Sequence, residues 1–137
     1  MTIQTTMQGV LIYEAMGLYV LALVVAGLGF RRLSLATYGL GFLAAAAAVT
    51  YRGLQAGHFP LSNLFEVFLF LGAAVFPLTL VSMRLFQTSH FIDDIVIGLV
   101  LLLPAGFVFS AEPKPLPAML QSVLFVPHVL SYMLAYV

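Results

Sequence analysis

The chain alternates long apolar runs with short polar breaks, and the runs match the thickness of a bilayer. A hydrocarbon core of about 30 Å takes about 20 apolar residues of helix to cross. Residues 10–30, 34–51, 62–83, 93–110 and 117–137 meet or approach that length. The breaks are charged or turn-forming. Arg31 and Arg32 close the first run, Arg52 and Gly53 the second, and Arg84 the third. Asp93 and Asp94 open the fourth, where carboxylates suit the positive end of a helix. The connector from Ser110 to Pro117 is proline-rich, and Pro117 is placed as a first helical residue. No run alternates polar and apolar at period two, which argues against a transmembrane barrel. The pattern predicts an all-α integral membrane protein, one membrane domain over 1–137 with about five transmembrane helices. It reads as the N-terminal, truncated portion of a larger helical bundle.

Composition narrows the partners. The chain is 63% hydrophobic, with 5 Lys+Arg and 5 Asp+Glu in 137 residues. That is too little charge to cover a water-soluble domain, so the solvent is a lipid bilayer. A net charge of zero argues against a nucleic-acid partner, because phosphate binding needs clustered Lys and Arg. The absence of cysteine removes disulfides and thiolate metal sites. The N-terminus lacks a basic segment and a small-residue cleavage site, so the first run reads as a retained anchor. With the N-terminus outside, the inner loops hold Arg31, Arg32 and Arg84, and the outer loops hold Arg52 and Lys114. The positive-inside rule therefore predicts a multi-pass protein of the inner or plasma membrane with its N-terminus outside.

Few polar residues lie inside the runs. Gly39, Gly41 and the stretch Ala44 to Ala48 read as a helix-packing surface, since small residues let backbones approach closely in lipid. Asn63 and Glu66 are spaced as a capping box at the start of the third run. Glu14 lies about one turn inside the first run, and only Glu66 is at comparable depth for a proton relay. His90, between Arg84 and Asp93, reads as solvated.

His128 differs from these. Counted from Pro117 at 1.5 Å per residue, it lies roughly 16 Å along its helix. An ionisable group at that depth is costly unless it faces protein, a cavity or a cofactor. Gln121, Phe125, His128, Tyr132 and Tyr136 share one helical face by their spacing. Pro127 has no N–H for the carbonyl of Val123 and predicts a local kink beside the imidazole. Zinc fits poorly, with no second histidine within a turn and no thiolate. Haem fits better, because an axial imidazole needs only one residue per helix and apolar walls around the ring. The bland alternative is a histidine hydrogen-bonded to a neighbouring helix.

Two stretches together carry a resemblance. The segment from Gly57 through His58, Phe59, Pro60 and Asn63 to Glu66, and the segment from Leu116 through Gln121, His128 and Tyr132 to Tyr136, resemble the CcsA-type cytochrome c biogenesis proteins. The resemblance implies presentation of haem b at the outer membrane face for attachment to apocytochrome c. It implies His128 as an axial ligand of the haem iron. Tyr132 and Gln121 would line the site, and His58 would belong to its architecture. It also implies that a tryptophan-rich outer loop and further histidines lie in a missing C-terminal half or partner assembly protein, since this chain has no Trp. No catalytic constellation stands out in the chain itself. Two other functions remain open: a fragment of a proton-coupled transporter using Glu14 and Glu66, and a structural membrane subunit of a respiratory complex.

Overall fold

The computed structural model describes residues 6–57, 59, 61, 63–87, 90–109, 122 and 124–136. These residues form five helices: α1 (Met7–Gly27), α2 (Arg31–Ala56), α3 (Leu64–Leu85), α4 (Phe91–Phe107) and α5 (Phe125–Tyr136). The protein is all-helical, and α1, α2 and α3 are long and apolar enough to cross a membrane. The 17 residues of α4 rise about 25 Å.

Helices α1 to α4 make an up-and-down bundle in which α1 packs on α2 and α4, and α3 packs on the same two. Paired contacts fix the directions. Ser34 Oγ donates to the Ala22 carbonyl at 2.7 Å, and Tyr13 donates to the Gly106 carbonyl at 2.9 Å. Along both interfaces, residue numbers fall on one helix as they rise on the other. The short connection 28–30 and the 86–90 connection therefore share one end of the bundle. The 57–63 connector lies at the other.

The helix boundaries depart from the sequence expectation at three places. Helix α1 starts at Met7 because the Thr6 hydroxyl caps it, accepting from the Gly9 N–H at 3.3 Å. Arg31 and Arg32 open α2 rather than closing α1, and the Arg31 guanidinium lies 5.5 Å from the ring centroid of Phe91. Most tellingly, α2 runs straight through Arg52 to Ala56 and stops at Gly57, which takes φ +69°. A left-handed residue there suits glycine and ends the helix. Arg52 does not break the helix because its charge is neutralised inside the bundle. Among the described residues, the fifth expected span is helical only from Phe125 to Tyr136, and 110–121 lie outside the description.

The centre of the bundle is built on one ring. Tyr19 is fully buried, and its hydroxyl donates to the Gly72 carbonyl of α3 at 3.1 Å. A Cβ at Gly41 of α2 would lie 2.5 Å from that ring, and one at Gly98 of α4 would lie 2.9 Å from it. Both positions must be glycine for the ring to fit. The packing surface read at Gly39 and Gly41 is thus real, and a Cβ at Gly39 would lie 3.1 Å from the Phe76 ring. Edge-on contacts extend the same layer, from Tyr19 to Tyr38 at 4.8 Å and from Tyr38 to Phe76 at 5.0 Å.

Two measurements check this fold. Gly41→Val should destabilise the protein by about 3 kcal/mol or more through overpacking. Gly17→Ala, with nothing within 4 Å of the added carbon, should be neutral or slightly stabilising. Thermal unfolding in detergent micelles reads both. For orientation, the chain has no native thiols, so single cysteines report accessibility cleanly. A cysteine at Gln55 should label from outside the cell, and one at Gln87 should not. The reverse pattern inverts the topology.

Candidate functional site

Helix α5 runs from Phe125 to Tyr136, which makes His128 its fourth residue. Ser122 makes the turn that starts it: its hydroxyl accepts from the Leu124 N–H at 3.3 Å, and its carbonyl accepts from the Phe125 N–H at 3.0 Å. Pro127 is then the third residue of α5, in the first turn, where no backbone donor is needed. The His128 N–H reaches the Leu124 carbonyl at 3.1 Å, and the Ser131 hydroxyl returns to the Pro127 carbonyl at 2.7 Å.

His128 is exposed, and no described residue hydrogen-bonds to its ring. Among the described residues, that ring meets Tyr132 edge-on, at 4.8 Å between centroids. Tyr132 is 56% exposed. These two predicted site residues are brought together as their spacing required. Gln121 and His58 lie outside the described residues. Among the described residues, no group of three or more His, Asp or Glu could hold a metal ion.

The other polar cluster lies at the 57–63 end of the bundle, and the sequence pattern identified only half of it. Asn63 caps α3, its side-chain oxygen accepting from the Glu66 N–H at 2.9 Å. The Glu66 carboxylate does not reach back to complete a capping box. It turns into the core and accepts from Arg52 Nε at 2.8 Å, with both side chains 1% exposed. The guanidinium also lies 5.3 Å from the Phe65 ring centroid. A buried charge is tolerated only when paired, so each of these residues explains the other. The clue in the sequence was an arginine and a glutamate 14 residues apart, flanking one connector.

Remaining polar groups divide between surface and core. Glu14 is on the exposed side of α1, whereas Glu66 is committed to Arg52, so the two carboxylates are not brought together as a relay. His90 and Asp93 pair at 3.5 Å and are both exposed, which matches the solvated reading of His90. Gln8 is 2% exposed, and its Nε2 has no hydrogen-bond partner. Between α2 and α3, a groove of about 370 Å³ is lined by Phe42, Phe70, Pro77 and other apolar groups. Its one hydroxyl, on Thr50, is bonded back to the Ala46 carbonyl at 2.8 Å.

Comparison with known proteins agrees with the direction of the sequence reading. The chain is 35% identical over 101 residues to a cytochrome c biogenesis protein CcsA of Synechococcus sp. (strain JA-3-3Ab). The match takes in 69% of this chain and 28% of that relative, so the chain spans under a third of the curated protein it resembles. No protein-family model matches the chain. No solved structure matches it either.

The isolated Gln8 amide generates a stability prediction. A buried donor without a partner costs about 1–3 kcal/mol, so Gln8→Met, of similar shape, should stabilise the bundle by about 1 kcal/mol. A melting temperature in micelles that falls on this substitution would show that the amide makes a favourable interaction in solution.

Proposed function

We propose that this chain is part of a haem-handling membrane scaffold for cytochrome c assembly, and that His128 offers its imidazole to the haem iron at the outer face of the cell membrane. The similarity to CcsA supports the assembly role. The observation that carries the site is the exposed His128 ring, held in the first turns of α5 beside Tyr132 and with no hydrogen bond to a described residue. A histidine serving only to tie two helices would be buried and hydrogen-bonded across them.

The donor set fits haem in a limited way. An axial ligand needs an open ring nitrogen, and a wall beside it orients the porphyrin. His128 supplies the first and the Tyr132 ring supplies the second. One imidazole fills one axial position, so the second ligand and the cover over the ring come from elsewhere in the assembly, either His58 or a histidine of a partner assembly protein. Gln121 joins the proposed lining by its position in the sequence. Haem b is cargo in this reading, and when bound it brings the vinyl groups that are joined to apocytochrome c thiols. What this chain contributes is binding and orientation.

The test compares wild type with His128→Ala, each produced with the rest of a cytochrome c assembly protein. At matched protein levels, the substitution should lower haem retention by about ten-fold or more while leaving membrane insertion intact. Added imidazole should restore part of the spectrum by entering the vacated position. Identical haem spectra for the two proteins, insensitive to imidazole, would remove His128 from the site.

A further inference from the structure

The apolar groove between α2 and α3 leads toward the end of the bundle that carries the 28–30 and 86–90 connections. On α3 its lining extends from Phe70 to Val81, a rise of about 16 Å and close to half of the roughly 30 Å hydrocarbon core. Phe42 and Ala46 of α2 line it together with Ala74 and Pro77 of α3. Beyond its end lie two arginines. The helices run antiparallel, and a Cβ at Gly39 of α2 would lie 3.1 Å from the Phe76 ring of α3. Seven residues from Gly39 toward that end is Arg32, and eight from Phe76 is Arg84, so the two are level on adjacent helices. Arg32 shares a helical face with Gly39 and Ala46, and Arg84 shares one with Val81 and Pro77. Both arginines are exposed, and among the described residues neither makes a salt bridge. The carboxylates described at this end, Asp93 and Asp94, belong to α4, and Arg31 lies over Phe91 of that helix.

We propose that this groove holds an acyl chain of an anionic phospholipid whose phosphate sits between Arg32 and Arg84. The groove selects the chain. Its one hydroxyl, on Thr50, is already bonded to the Ala46 carbonyl, so it offers nothing to a polar ligand. Its volume of about 370 Å³ is within the range of about 300–1,000 Å³ common for ligand sites. The arginines select the headgroup. Guanidiniums present paired N–H donors to phosphate oxygens, and basic groups between membrane helices favour lipids of net negative charge. Phosphatidylcholine carries a phosphate too, but its choline would bring a third cation to the two arginines. The site depends on the leaflet at this end of the bundle, whichever side of the membrane that is. It draws on neither His128 nor Tyr132.

Native mass spectrometry of the full chain in detergent micelles tests this, with dioleoyl phosphatidylglycerol and dioleoyl phosphatidylcholine added in equal amounts. The two lipids share their chains and differ in the headgroup. The native chain should retain one phosphatidylglycerol, preferred at least about ten-fold over phosphatidylcholine. Arg32→Gln with Arg84→Gln should bring that preference to within about two-fold of unity, whereas Arg31→Gln should leave it in place. Ala46→Leu with Ala74→Leu fills the groove and should lower retention of both lipids by about ten-fold. The arginine substitutions lie at exposed positions and keep the test decisive if the leucines cost the fold. Equal retention of the two lipids by the native chain would overturn the proposal. So would a preference that survives loss of both arginines, or one that falls as far with Arg31→Gln, since charge would then act diffusely. Retention by a folded leucine variant would leave a headgroup contact without a groove, and displacement by millimolar inorganic phosphate would leave an ion site without a lipid. A dimer that the leucines dissolve would make a second copy of the chain the occupant instead.

Discussion

The bundle depends on how closely four helices can approach when lipid offers no hydrophobic drive between them. Leu against Leu gains little over Leu against an acyl chain, so association rests on close packing and internal hydrogen bonds. Tyr19 meets both demands at one point. Its ring occupies the space left by the missing side chains of Gly41 and Gly98, and its hydroxyl ends on the Gly72 carbonyl. Three neighbouring helices are thereby spaced by a single residue of α1. The layers above and below inherit that spacing, among them Ser34 on Ala22 and Tyr13 on Gly106.

Much of this was legible in the sequence, and the failures share a cause. Apolar runs, the Gly39 and Gly41 packing surface and the Asn63 cap were readable because each is a local signal. The ring that the glycines receive was not, since buried and lipid-facing positions are equally apolar and leave no periodic trace. Arg52 was misread for a related reason. A lone charge at the end of an apolar run resembles a stop at the headgroups, and only its partner across a connector shows otherwise.

The candidate site was legible as a set of residue types and spacings. His128 and Tyr132 meet as i, i+4 spacing requires, and the histidine lies on an exposed part of α5.

The burial of Arg52 also bears on how the chain enters the membrane. A helix carrying an unneutralised arginine is a poorer candidate for the bilayer than its apolar run suggests, with a penalty that grows with depth. The compensating carboxylate is made only after a further 14 residues have been synthesised. Helix α2 therefore reaches its final register in the company of α3, and the two partition into lipid most favourably as a hairpin.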